Sequence, residues 1–534
     1  MLKFLAGLLA HALTAFSLTA PLTVPMNRYD RFPTGANTQE TSLNSTNVNA
    51  ANFGKLYSYY VDGAVYAQPL YVPAVRIPGQ STHNVLYVAT MNDKVYAFDA
   101  DRSGPPLWMR NLTNEISGVT PVPIIDITNS NDLNIVGNAG IESTPVIDAS
   151  EEVIYLVART KENGKYVQRL HKLDIKDGKD QAVPVMIEAS VNSSARDAVN
   201  GMLHFDPRAG NQRSALALVD GTIVIAWASH EDIQPYHGWI MTYDARALKQ
   251  TGALCTTPDT ADGGIWQSGR GPAIGSDGGL YFEVGNGGWD GHRNFGTSVV
   301  KLNVRNSGVI EDYFTPHDYV DLNDQDADLG STGPLLIPGT NILVCGSKKG
   351  IVYLLDANKL GHMTANNDRL IQALEVNGGR IMAGPVYWDG PAGPMLFLWC
   401  ETDVPKAFRF NGHLLQPTPY AKGIVASRGS PGGALTISSN GTEPATGVLW
   451  ATVADGRSAD HGNAPGVLHA FNAENLKEIW NSEQHMDRDR LGTLVKFVPP
   501  LVAVGKVYAP NYDNAVNVYG LLSWNAAHTR VSQA

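Results

Sequence analysis

The most chemically loaded stretch of the chain is Ser229–Trp239, which gathers His230, Glu231, Asp232, Tyr236, His237 and Trp239 in one short segment. Histidine titrates near neutrality, so His230 and His237 are candidate general acids or bases, with Asp232 placed to orient one of them. Tyr236, Trp239 and the later Trp266 offer faces on which a planar ligand can stack. A histidine in a loop also serves as a hydrogen-bonded structural residue, and both readings stand at this point. The segment has no His-x-His or compact four-ligand spacing, so no metal is expected there.

A second group of residues stands next to short apolar runs. Glu142, Gln212, Arg213, Trp266, Arg270, Asp328, Arg380, Arg428 and Lys496 precede such runs, while Asn92, Asp93, Lys161, Asn286, Lys348 and Asn511 follow others. From these we take Gln212, Arg213, Tyr236, Trp239, Trp266, Arg270, Asn286, Glu142 and Arg428 as candidate substrate-binding residues. Cations collected in a chain of net charge -11 suit an anionic or polar aromatic ligand, because Arg can grip planar oxyanions bidentately. Solvated cations, or structural ties to Asp328 and Glu142, are the competing reading. Asp220-Gly221, Asp277-Gly278-Gly279 and Gly285-Asn286-Gly287-Gly288 read as turns, and no Walker or dinucleotide fingerprint occurs.

The elements that position these residues repeat. A small-residue/Pro step, an apolar strand, a turn, a strand like Val85-Leu86-Tyr87-Val88 and a strand like Val95-Tyr96-Ala97-Phe98-Asp99 recur about eight times between Tyr66 and Leu521. The runs are β-branched and aromatic, with Gly, Asn and Asp between them, so they read as antiparallel strands. The expected fold is all-β, a single eight-bladed β-propeller of four-stranded antiparallel blades, with seven blades as the alternative. Leu56–Val65 is expected to supply the outer strand that closes the ring on the last blade.

Residues 1–20 read as a signal peptide, 21–55 as an N-terminal extension, 56–524 as the propeller and 525–534 as a C-terminal tail. The expected location is therefore secreted or lumenal, with no membrane span and glycosylation sequons at Asn44, Asn111, Asn192 and Asn440. The acidic balance argues against a nucleic-acid partner. With three cysteines, Cys255, Cys345 and Cys400, on separate repeats, buried thiols are expected rather than a disulfide scaffold.

Val95-Tyr96-Ala97-Phe98-Asp99-Ala100 with Gly104 and Trp108 resembles the blade motif of the quinoprotein, or PQQ-like, β-propeller superfamily. The echoes end at Asp174, Asp244, Asp356 and Asn472, and the likeness covers nearly the whole chain beyond residue 20. The resemblance implies that the motif's Trp packs between blades. PQQ-dependent dehydrogenases of that superfamily add a vicinal cysteine pair and a calcium-binding carboxylate set. This sequence has no adjacent cysteines and no Cys-x-x-Cys-His for haem, so PQQ with Ca²⁺ is the disfavoured alternative and no cofactor is expected.

Gln212-Arg213, Ser229–Asp232, Pro235–Trp239 and Gly264–Gly269 resemble a secreted microbial subgroup. Its likeness to fungal hetero-Diels-Alderases implies a secondary-metabolism enzyme. Such an enzyme would dehydrate a substrate to a quinone methide and couple it to a terpene, an apolar co-substrate. A sugar or alcohol dehydrogenase and a non-catalytic binding or scaffold propeller are the alternatives.

Overall fold

The computed structural model describes residues 21–128, 134–306, 309–459 and 462–522, so the expected signal peptide and C-terminal tail lie outside the described residues. Eight blade sheets follow one another in chain order around a ring, with a separate two-stranded ribbon of Ser190–Asn192 and Met202–His204. Their innermost strands are Leu70–Arg76, Val146–Asp148, Ala217–Val219, Ala273–Ile274, Leu335–Leu336, Val386–Gly390, Ala434–Ser438 and Leu501–Ala503, which number blades 1 to 8. Eight sheets remove the seven-blade alternative.

The outer strand of blade 8 is Phe53–Tyr60, antiparallel to Ala515–Leu521. Closure therefore uses the expected segment, beginning three residues earlier than Leu56 and ending at Tyr60 rather than Val65. Joining both ends of the chain in one blade leaves the ring without an open edge.

The signature residues of the repeat bond to one another across blades. Tyr87, Tyr155, Tyr281 and Tyr508, each on a second strand, donate their hydroxyls to the carbonyls of Ile175, Ala245, Ala357 and Ala100. Each acceptor directly follows the Asp that ends the next blade's third strand: Asp174, Asp244, Asp356 and Asp99. Tyr508 and Ala100 tie blade 8 to blade 1. Trp108 packs between blades as the resemblance implies, its Nε1–H donating to Ile175 O at 3.0 Å. Its ring lies over Gly178, where a Cβ would sit 2.7 Å from the indole.

Residues 24–37 of the N-terminal extension run through the central channel and bond to the inner strands of seven blades. Val24 exchanges backbone hydrogen bonds with Tyr71, and the carbonyls of Pro25, Arg31, Phe32, Thr34 and Gly35 accept from Ile147, Ile274, Leu336, Tyr387 and Ile437. Tyr29 bonds Val502 of blade 8. Within the channel, Arg28 donates to Leu435 O and Arg270 donates to Pro33 O and Pro385 O. Inner strands in a ring leave a core too wide for their side chains alone, and this segment fills it.

Candidate functional site

With the channel filled, a concavity remains at the mouth, where the loops before the innermost strands meet those between second and third strands. A cavity of about 200 Å³ opens there, walled by Tyr66, Ile135, Trp266, Met382 and Phe497. Its polar lining includes Glu142, Arg213, His230, Asp232, Asn286, Asp328, Lys348 and Lys496.

Blade 3 supplies the floor. Its second strand, Thr222–Ser229, ends where Ser229 O accepts from Trp266 Nε1 (3.0 Å) and Asn211 Nδ2 (3.1 Å), which fixes the departure of the next residue, His230. The Trp266 indole approaches Gly264 and Gly285 so closely that a Cβ at either would lie 2.7 Å from the ring. Tyr236 packs edge-on against it, with ring centroids 5.8 Å apart, and donates to Asp232 Oδ1 at 3.1 Å.

His230 is buried beside two guanidinium groups. Burial, then Arg159, then Arg213, hold its pKa well below the usual histidine range, so the ring is neutral. Arg159 Nη1 lies 2.7 Å from Nε2. Because a guanidinium can only donate, Nε2 accepts and the ring proton is assigned to Nδ1. Arg159 comes from the blade 2 strand Val153–Glu162, and its other nitrogen donates to Gly210 O.

Glu142 is 4% exposed and lies 3.7 Å from Arg213 and 4.0 Å from His230. No hydrogen bond of normal geometry reaches either carboxylate oxygen among the described residues. Burial raises its pKa, against the lowering effect of Arg213, Arg159 and Asn211. Arg213 has other partners besides Glu142. Its guanidinium sits 4.8 Å from the Tyr66 ring centre and 5.5 Å from that of Phe497, and Nη2 donates to Lys496 O at 3.1 Å. Nη1 makes no hydrogen bond among the described residues. A buried acid with raised pKa beside a guanidinium with an open N–H can move a proton next to a held oxyanion.

Across the cavity, Asp328 pairs with Lys348 at 3.0 Å and accepts from Asn286 N–H at 3.1 Å. Burial lifts its pKa to about 6 in spite of Lys348. Asp232 is likewise raised by burial.

The structure thus brings Glu142, Arg213, His230, Asp232, Trp266 and Asn286 together, with Tyr236 directly behind Asp232. It separates five other candidates from them. The second half of the long loop folds back beside Asp262, which turns His237 outward to bond Thr257 O (2.9 Å) and Asp197 (3.2 Å). Trp239 is a strand residue packed on Phe205 in the core. Gln212 turns to Ser143 and Ser214. Arg270 is held in the channel by carbonyls, and Arg428 is exposed away from the cavity.

Sequence reasoning missed Tyr66, Asn134, Asn211, Phe497 and Arg159 as site residues. Arg159 carried a legible signal, an arginine inside an apolar strand that continues past Val157 to Glu162. Among the sequons, Asn111 and Asn192 are exposed, while Asn44 and Asn440 are half-buried.

No protein-family profile matches the sequence, and no curated protein matches it. The solved structures do. A quinohemoprotein alcohol dehydrogenase from Pseudomonas putida HK5 superposes with a TM-score of 0.59 at 14% identity, covering 94% of this chain and 80% of its own. The chain shares the β-propeller fold of that enzyme. The quinohemoprotein alcohol dehydrogenase of Comamonas testosteroni gives a TM-score of 0.53 at 14% identity, over 93% of this chain and 80% of that one. At such identity the likeness of these propellers is one of fold.

Whether this propeller's residues would suit PQQ and a calcium ion depends on the donors present. The Trp266 face and the Arg213 guanidinium suit a planar carboxylate. The cation is less well provided for: Asp328 is paired with Lys348, and no three His, Cys, Asp or Glu side chains converge on a metal position among the described residues. Cys255, Cys345 and Cys400 are free, buried and absent from the cavity wall.

Proposed function

We propose that the mouth cavity is the active site of a small-molecule acid–base enzyme, with Glu142 moving the proton and Arg213 holding an anionic or polar aromatic substrate against Trp266. The observation that carries this reading is the loose ion pair of the Glu142 carboxylate and Arg213 Nη1, 3.7 Å apart, buried and on the cavity wall, with no close hydrogen bond completing either. Native proteins rarely leave buried polar groups without partners, and where they do, a ligand is a ready explanation. Neutral His230 is engaged by Arg159 at Nε2, so Glu142 takes the acid–base role expected of the histidines.

The finer reading is dehydration of a hydroxymethyl-tropolone followed by hetero-Diels-Alder coupling. The Glu142 carboxylate takes the ring-hydroxyl proton, the hydroxymethyl C–O bond breaks, and the departing oxygen leaves as water on receiving that proton back. Net loss is one water, and Glu142 is regenerated. Cycloaddition then needs only two reactants held in register, for which Ile135, Met382 and Phe497 supply apolar wall for the alkene. Incubating the protein with a hydroxymethyl-tropolone and a sesquiterpene alkene should give cycloadduct above the uncatalysed level. Its absence with the wild-type chain overturns the finer reading.

The fold shared with quinohemoprotein alcohol dehydrogenases favours one second reading, a quinone-dependent oxidoreductase. When bound, the quinone would supply the two-electron chemistry, and Trp266 and Arg213 would hold it. Dye reduction with an alcohol after reconstitution with PQQ and calcium supports that reading, and no reduction removes it.

A further inference from the structure

The long loop that follows the blade 3 strand Thr222–Ser229 opens on a turn held at several points. Glu231 and Asp232 both sit at left-handed φ, 53° and 50°, a conformation that residues other than glycine adopt rarely. The Glu231 carboxylate accepts from the Asn134 backbone N–H at 2.6 Å and from Asn134 Nδ2 at 2.5 Å, and Ile233 N–H donates to His230 O at 3.1 Å. Such strained residues persist where the surrounding structure over-determines them, and they gather at ligand sites. The side chain that this turn delivers is His230, buried in the cavity wall.

The two ring nitrogens of His230 have different surroundings. Arg159 Nη1 donates to Nε2 at 2.7 Å, with the same guanidinium anchored on Gly210 O. That bond needs the lone pair of Nε2, which places the ring proton on Nδ1. The carboxylate nearest the ring, Glu142, approaches at Nε2, 4.0 Å away, and among the described residues nothing accepts from Nδ1–H. Nor is this nitrogen wholly enclosed by protein, so its N–H opens on the cavity that the ring lines.

A neutral imidazole N–H polarises an oxygen by hydrogen bonding while keeping its proton. Arg213 Nη1 lies 3.7 Å from Glu142 Oε1 and His230 Nε2 4.0 Å from Oε2, so the two donor-bearing side chains approach different oxygens of one carboxyl. We propose that His230 is a substrate-binding residue whose Nδ1–H donates to a carbonyl or enolate oxygen of a ligand carrying two neighbouring acceptor oxygens, the other being held by Arg213. The inference rests on the reading of the mouth cavity as the active site. It narrows the ligand class to planar enolised α-diketones, of which tropolone is an example.

The test uses the full-length chain with ¹⁵N-labelled histidine, and tropolone as the probe. The His230 ring is assigned by its loss in His230→Asn or its shift in Arg159→Lys. Its proton should be coupled to Nδ1 and should move downfield when tropolone is added. Calorimetry then compares two variants, because an Asn amide nitrogen falls close to the place of Nδ1 and a Gln amide nitrogen close to that of Nε2. His230→Gln should weaken tropolone about tenfold or more, while His230→Asn should stay within about threefold of the wild type. A proton on Nε2, an Nδ1 signal that tropolone does not move, or equal affinities in the two variants overturns the inference. If Arg213→Gln nevertheless loses tropolone, the active-site reading stands without it. A wild-type chain that does not bind tropolone overturns both. Should His230→Gln not fold, the wild-type spectra with and without tropolone decide.

Discussion

Two sets of arginines near the propeller axis show what separates a structural cation from one available to a ligand. In the channel, Arg28 and Arg270 donate to carbonyls of blade 7, of the N-terminal segment and of blade 6, binding that segment to the ring. At the mouth, Arg213 is as thoroughly buried, yet aromatic faces and one carbonyl hold it 3.7 Å short of Glu142 with Nη1 open. Residue type and burial are alike in the two places. Arg270 Nε and Arg213 Nη1 both lack a hydrogen-bond partner among the described residues; what differs is that Arg213 lines a cavity while Arg270 lies in the filled channel.

The comparison breaks most visibly at Glu142. If the mouth is where chemistry occurs, Glu142→Gln lowers turnover by about 100-fold or more with the fold intact, as checked by product formation and circular dichroism. The channel arginines should respond in the opposite way. Arg28→Ala or Arg270→Ala leaves buried carbonyls unpaired and loosens the N-terminal segment, lowering stability by about 2–4 kcal/mol in urea unfolding. Affinity for a mouth ligand should hardly move in whatever fraction remains folded.

A pH effect sharpens the picture from the far wall. Asp328 ionises near 6 in the folded protein rather than near the ordinary 3.8. Between those values the folded protein binds the proton more tightly than the unfolded chain does. Its contribution to stability is therefore full below the lower value and declines as pH rises through about 6. Asp328→Asn should flatten that part of the stability–pH curve. The smallest change is expected outside the cavity: His237→Ala loses its bonds to Thr257 and Asp197, costs about 1 kcal/mol in unfolding experiments and leaves turnover unchanged.

The fold was legible in the sequence because its signature is periodic. The Tyr of the second strand recurs together with the Asp ending the third because its hydroxyl bonds the carbonyl just after that Asp in the next blade, and a repeated interaction leaves a repeated trace. The site was legible only in part. Register identified Glu142, Arg213, Trp266, Asn286, Asp328 and Lys348 as mouth residues, because position before an inner strand fixes which end of the ring a residue occupies. Register does not fix where a side chain turns, so Arg270, which shares the position before an inner strand and was a candidate for substrate binding, instead runs its guanidinium into the channel.

His237 was misplaced for a different reason. It shares a loop with His230, but that loop is long enough to leave the mouth and return along Asp262. The role of residues 24–37 could not be read at all. The segment is held through backbone carbonyls, which no side-chain pattern announces.

Calorimetric titration of the full-length protein with tropolone, a planar aromatic oxyanion, tests most directly the claim that the mouth arginine faces a ligand cavity where the channel arginines do not. Binding to the wild-type chain that weakens at least tenfold in Arg213→Gln, but not in Arg270→Gln, is the predicted result. No binding, or equal binding to the wild type and Arg213→Gln, would contradict it.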